Sequence, residues 1–478
     1  MNIRNYLSNR WHVPGGYREV LTIALPLVIT TSAWSLQHFI DRVFLSWYAA
    51  ETIAASMPAG LLNFTFMSIF TGTASYVGTF IAQYIGARRD AETGKMLWQS
   101  LYIAIIGGCV HLGLLPLAPH FFRFAGHGGL VFAYEVVYFR YLCLGAFPAI
   151  AASALGGFYA GQGRTLPLMW VNFSATAVNI VFDYLLIFGK FGFPELGIQG
   201  AAIATVMSAV TALIIFSVLI FRQTNEKRFR VISAWRWQKA DFGRLLRFGL
   251  PVGTQFFLDI AGFTVFLLLM GRLGTLPLAA TNVTFNINNL AFMPMIGFGI
   301  AVSVLVGQAL GRERPDLAEK ATYSAFHLTM FYMGLMILAY LTVPDLFLLP
   351  FAAHADAATF SEIKKLSVVL LRLVALYSVF DTFNIIFSGA IKGAGDTRFV
   401  MYMLLVLSVL VLIIPAYVVI VILKGSVISA WMCATVYICL LGIAFFVRFL
   451  SGKWKTMRLI EPKPPLLPST FPETPTPD

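Results

Sequence analysis

The chain has 478 residues, 58% apolar and only 12% charged, with a formal charge of +12 and a mean hydropathy of +0.78. Soluble globular chains carry roughly 25% charged residues, so a soluble enzyme with a single anchor is excluded, and 43 phenylalanines exclude a disordered chain. The basic residues lie in short gaps between apolar runs and form no single patch, which argues against a nucleic-acid partner.

A membrane helix needs about 20 apolar residues. Apolar runs of that size fall at 19–46, 52–83, 96–119, 131–160, 166–188, 198–221, 245–271, 276–309, 321–344, 363–391, 399–423 and 426–450. They predict an all-α membrane protein with twelve transmembrane helices in two six-helix bundles. The N-terminal 1–18 is polar, with Arg4, Arg10 and Arg18, and the first run is too long for the apolar part of a cleavable signal. An N-lobe is expected over 19–221, a basic linker with Trp235 and Trp237 over 222–244, and a C-lobe over 245–450. A disordered tail is expected over 451–478, with seven prolines from Glu461 onward. With the N-terminus inside, the inner segments hold 25 of the 34 basic residues and the outer loops six, so both termini are expected in the cytoplasm. Cys109, Cys143, Cys433 and Cys439 all sit in apolar runs without CxxC spacing and read as small buried hydrophobes.

The two halves align on a shift of 225 residues. Leu25-Pro26 falls on Leu250-Pro251, Asn63 on Asn288, Gly72 on Gly297, and Gln83-x-x-Gly86 on Gln308-x-x-Gly311. After seven extra residues the register continues at 232, where Arg140 meets Arg372 and Gly161-x-Gly163-x-Thr165 meets Gly393-x-Gly395-x-Thr397. Six spans per half give both repeats one orientation, and sites in such folds lie between the repeats. Pro26 and Pro251, early in the first helix of each half, are candidate hinges.

Four acids lie well inside spans: Asp41, Asp183, Asp259 and Asp381. Each costs roughly 2.5–3.5 kcal/mol at a helix centre on insertion scales. The repeat equates them with Phe266, Pro415, Trp34 and Ala149, so the scaffold itself does not demand carboxylates there. Each also lies on a polar helical stripe. Thr30, Trp34, Gln37 and Asp41 share one face, as do Asn172, Thr176, Asn179 and Asp183. Gln255 precedes Asp259 by a turn; Tyr377, Asp381, Asn384 and Ser388 form another stripe, and Asn282, Asn286 and Asn289 a further one. Lipid cannot satisfy such faces, so they must point into the bundle or into water. Carboxylate, amide and hydroxyl oxygens suit Na⁺, and a buried carboxylate equally takes a proton. Pairing of the acids with Arg42, Arg140 or Arg372 is the structural alternative, and the repeat-related Arg140 and Arg372 are read as structural.

These residues resemble the multidrug and toxic compound extrusion (MATE) family, and its NorM-like branch in particular. The likeness rests on Leu-Pro in spans one and seven, Asp41 late in span one, the two Gln-x-x-Gly motifs, and Gly393-x-Gly395-Asp396-Thr397-Arg398, over about residues 18–450. It implies a cation-coupled antiporter of two six-helix lobes around a central cavity, exporting organic cations and aromatic drugs in exchange for Na⁺ or H⁺. By the same resemblance Asp41, Asn179 and Asp183 match the N-lobe cation site, Asp259 and Asp381 match acids of the NorM-like branch, and cation binding at either set would drive exchange, which leaves open the lobe that binds the ion. Arg42 stands where the family has a small polar residue.

The cavity is expected to be lined by Trp34, Gln37, Gln255, Asn282, Asn286, Tyr377 and Asn384, whose aromatic and acidic neighbours suit flat cationic amphiphiles. No Walker P-loop, HExxH or Gly-x-Ser-x-Gly occurs, so the expectation is a transporter without catalytic residues, cofactor or resident metal. It is expected as a monomer in a bacterial inner membrane, in contact with membrane lipids. A lipid-linked oligosaccharide flippase is the rival reading, and an ion channel a more distant one.

Overall fold

The computed structural model describes residues 10–124, 126, 128–352 and 357–461. The expectations for 1–9 and 462–478 lie outside the described residues. Every regular element among those described is helical. The spans are α1 (Tyr17–Tyr48), α2 (Ala50–Gly86), α3 (Asp90–Phe124), α4 (Gly129–Leu144 and Ala146–Gly161), α5 (Thr165–Phe188) and α6 (Ile198–Ile220). The second half supplies α7 (Lys239–Gly271), α8 (Thr275–Gly311), α9 (Pro315–Thr342), α10 (Phe360–Ala394), α11 (Thr397–Ile422) and α12 (Val427–Leu450). Eleven of these are long and apolar enough to cross a membrane as single helices, and α4 makes the twelfth as a pair bent by 44°.

Local sequence explains the irregularities. The α4 bend falls at Gly145, where an added Cβ would lie 2.7 Å from the Val206 side chain of α6, so a larger residue would force the two helices apart. In α11, π-helical turns at Ser408–Ile413 and Val418–Ile422 flank Pro415, which removes one N–H from the ladder. Pro26 and Pro251 sit inside uninterrupted helices, both buried.

The lobes meet in a seam that obeys the repeat. Helix α1 packs on α8, and α7 packs on α2. A Cβ on Gly72 would come within 2.7 Å of Gly253 Cα, and one on the repeat-related Gly297 within 2.7 Å of the Val28 nitrogen. Val28 and Gly253 are themselves 225 apart. Toward the end of the bundle that carries the linker, the Gln-x-x-Gly motifs face each other. A Cβ on Gly86 would stand 2.1 Å from the Gln308 carbonyl oxygen, and one on Gly311 2.1 Å from that of Gln83. Gln83 Nε2 donates to the Gly393 carbonyl at 3.1 Å, and Gln308 Nε2 to that of Gly161 at 2.9 Å. Backbone contact this close excludes water and seals the linker end.

Three expectations need correction. Residues 451–461 are not a loose tail. Trp454 is buried and stacks on Phe449 at 4.9 Å, and Lys455 pairs with Glu319 at 2.6 Å. Leu459 N donates to Gln83 Oε1 at 2.8 Å, so one glutamine ties both lobes and the C-terminal segment together. The linker is shorter than expected, because α7 starts at Lys239 and a short helix, Gln223–Phe229, precedes it. It docks on α3, with Trp98 Nε1 donating to the Val231 carbonyl at 2.7 Å. Of the cysteines only Cys143 is buried; Cys433 and Cys439 are half-buried, and Cys109 is exposed on α3 beside Val110.

Because the Gly86 and Gly311 contacts are backbone against backbone, Gly86→Ala is expected to part the lobes at the linker end at a cost of about 1–3 kcal/mol. Spin labels at the exposed positions 222 and 398 should report a longer inter-lobe distance. An unchanged distance and melting temperature would show that the seam tolerates the methyl group.

Candidate functional site

The N-lobe acids come together. Gln37 on α1 accepts from Thr176 Oγ1 of α5 at 3.3 Å, which fixes the register of the two helices. One turn further along, the Asp41 and Asp183 carboxyls meet as hydrogen-bond partners, with the Tyr138 ring of α4 close to both. Asn179 lies one turn before Asp183 on the same face, and both are fully buried. Counted as ionised carboxylates, these groups have no donors. Asp41 Oδ1, Asp183 Oδ1 and Oδ2, and Asn179 Oδ1 and Nδ2 are five buried polar atoms without a protein partner. An ionised oxygen can only accept, so two carboxyls at hydrogen-bond distance require a proton or another cation between them. Unpartnered buried polar atoms cost roughly 1–3 kcal/mol each, and packing alone gives no reason to retain five.

The C-lobe acids are arranged differently. Asp381 is buried on α10 and accepts from Asn384 Nδ2 at 3.2 Å. Asp259 on α7 is exposed, stands one turn after Gln255, and is near enough to Asp381 to feel its charge. Lys392 is the cation set against Asp259. The tenth apolar run ends at 391, one residue short of Lys392, but α10 continues through it to Ala394. It stands eleven residues after Asp381, and therefore on the same face. The C-lobe pair thus feels Lys392 and the N-lobe pair feels His38 and Arg42, and among the described residues no lysine or arginine comes within 4.0 Å of either pair.

The arginines are elsewhere. Arg42 and Arg372 are exposed, and Arg140 Nε donates to the Leu115 carbonyl at 3.3 Å. Among the described residues, no arginine lies within 4.0 Å of Asp41, Asp183, Asp259 or Asp381.

Two of the expected cavity residues are corrected by burial. Gln37 is spent on Thr176 inside the N-lobe, and Tyr377 is buried in the C-lobe core. Trp34 is exposed and its ring lies 5.6 Å from Phe64, which meets Phe256 of the other lobe at 5.8 Å. Asn282 and Asn286 are exposed on α8. Their face continues to Met293, whose carbonyl accepts from Thr31 of α1 at 2.9 Å, so the stripe looks across the seam. Gln255 and Asn384 are half-buried beside the C-lobe acids. Trp34, Phe64 and Phe256 form a ring contact from one lobe to the other, and the exposed groups beside it are the lining that a cleft between the lobes would have. His38 was missed by sequence reading, since a lone histidine in an apolar run carries no spacing signal. Its Nδ1 lies 4.0 Å from Asp41 Oδ2.

The chain matches the MatE family model over residues 26–185 and 251–418, the larger part of its length. It is 27% identical over 391 residues to "Probable multidrug resistance protein NorM" of Shewanella oneidensis, covering 81% of this chain and 83% of that one. It is 25% identical over 457 residues to the protein of the same name in Thermotoga maritima, covering 95% and 96%. A MOP superfamily transporter from Pyrococcus furiosus superposes with a TM-score of 0.85 at 19% identity over 94% of this chain and 99% of that one. An outward-facing multidrug resistance MATE transporter superposes at 0.83 and 19% identity, covering 92% and 97%. The chain belongs to the MatE family, and its fold is that of these transporters.

Asn179→Leu removes two of the five unpartnered atoms at similar volume and is expected to stabilise the fold by about 1–3 kcal/mol. The check is the melting temperature in detergent. A fall would mean that the Asn179 amide is satisfied.

Proposed function

We propose that this MatE-family chain is a multidrug exporter of the bacterial cytoplasmic membrane, driven by cation uptake at Asp41, Asn179 and Asp183. The observation that carries the reading is the cluster of five buried, unpartnered polar atoms around two carboxyls in contact. A proton bridging Asp41 and Asp183 satisfies that geometry with the fewest groups, and it is the coupling ion of this reading. Na⁺ coordinated by the same oxygens is the other candidate the experiment separates.

Substrate occupies the cleft. Asp259 and Asp381 supply negative charge near the ring contact of Trp34, Phe64 and Phe256. That combination holds a flat organic cation by charge and ring contact. The basic residues put the linker end on the cytoplasmic side, and the glycine seam closes that end. The arrangement therefore faces outward. Rocking of one six-helix lobe against the other, about the seam and with Pro26 and Pro251 as bending points, would expose the cleft inward. Each charge moved down the membrane potential supplies about 2.3 kcal/mol per 100 mV, enough to concentrate substrate outside.

In proteoliposomes, an imposed pH gradient without Na⁺ is expected to drive efflux of a cationic dye, and a Na⁺ gradient alone is not. The reverse result would assign the site to Na⁺. Asp41→Asn and Asp183→Asn are each expected to abolish gradient-driven efflux in folded protein. Asp381→Asn is expected to raise the dye KM about tenfold, the loss of one charged contact worth about 1.4 kcal/mol. Wild-type efflux from both N-lobe variants would remove the coupling assignment.

A further inference from the structure

The carboxyl pair is buried, yet the ion it binds must come from water. Asp41 retains only 9% of its side-chain exposure, whereas His38, one turn earlier on α1, retains 47%. Leu25, Ile29 and Leu36 form the exposed apolar face of α1, and His38 lies roughly opposite them, with Trp34. The imidazole packs edge-on to Trp34 at 5.1 Å, and Trp34 leads through Phe64 to Phe256 on the C-lobe. His38 therefore lies on the Trp34 face of α1, the face that the reading above gives to the cleft. Its other edge, through Nδ1, is turned toward Asp41 Oδ2 at 4.0 Å, beyond hydrogen-bond length but within reach of a small ring rotation. Asp41 Oδ1 has no donor.

We propose that His38 is the relay through which protons pass between the cleft and the Asp41–Asp183 pair. The proposal rests on the proton reading above and supplies its route. A hydronium ion in the cleft protonates Nε2 of the neutral ring, and the Nδ1 proton passes to the Asp41 carboxylate. Water and a carboxylic acid result, and the ring is left neutral as the other tautomer. A ring flip or a second water exchange restores the starting form. Imidazole suits the task because either nitrogen can take up or release a proton near neutral pH. The charged or titratable groups around the ring are Asp41 and Arg42 on its own helix. Asp183 of α5 and Tyr138 of α4 stand behind Asp41, and the ring neighbours Trp34 and Phe64 are uncharged.

The test uses the full chain in proteoliposomes with a fluorescent organic cation as substrate. His38→Ala is expected to lower the maximal rate of pH-gradient-driven efflux about tenfold or more while leaving the substrate KM unchanged. Millimolar imidazole should restore the rate by entering the space left by the ring, and the rescue should track the imidazolium fraction as pH is varied. His38→Gln, which keeps polarity and approximate size, should be as slow as His38→Ala but not rescued. A wild-type rate in both variants would overturn the relay. So would a loss that imidazole does not repair, which would make His38 merely structural. If the wild-type protein responds only to a Na⁺ gradient, the proton reading itself fails and the relay with it.

Discussion

A polar atom in hydrocarbon must find its partner within the protein, and that constraint organises this molecule. It explains why the described residues form helices, why the polar stripes turn inward, and why the seam is built from glycine. At Gly86 and Gly311 the backbones come so close that only residues without a Cβ fit. The glutamine amides of the same motifs then satisfy carbonyls of the opposite lobe. Closure at the linker end is thus a hydrogen-bonded, water-free contact between two copies of one motif. The segment ending at Glu461 adds a third component through Leu459 and Gln83.

Against this background the unpartnered atoms of Asp41, Asn179 and Asp183 stand out. Elsewhere unpartnered buried atoms, such as those of Ser35, Thr71, Gln162 and Thr397, occur singly, while many hydroxyls bond backbone carbonyls, as Ser208 does Ala175 and Thr329 does Ala325. The frame that holds the acids is two-fold, but the acids themselves are not. One lobe carries two carboxyls in contact beside His38 and Arg42, and the other carries two acids with Asn384 bonded to one and Lys392 in the field of the other. In the proposed cycle a symmetric frame with an asymmetric charge lets one lobe take the ion while the other meets the drug. Binding in either then biases the same rocking equilibrium.

Much of this was legible in the chain. Apolar length gave the twelve spans, and the 225-residue shift gave the residue pairs that meet across the seam. The stripes identified Asp41, Asn179 and Asp183 as one face each, because i, i+4 and i+7 spacing is a property of a single helix. Gln37 and Tyr377 show the limit. Both lie on the right stripe, yet each is buried one layer behind the cleft, because periodicity gives a face and not its depth. Residues 451–461 show it again: beyond the last apolar run they read as tail, and only a binding surface made by both lobes orders them.

Sequence alone determined the spans, the distribution of charge between their ends, the internal repeat and the presence of carboxylates where oil should be. These depend on the composition and spacing of residues near one another in the chain. Tertiary structure decided which carboxyls meet, that Lys392 lies in the field of Asp259, that the His38 ring stands beside Asp41, and that the two Gln-x-x-Gly motifs meet at the linker end. Those facts depend on how helices more than a hundred residues apart rotate and approach, and no local period encodes that.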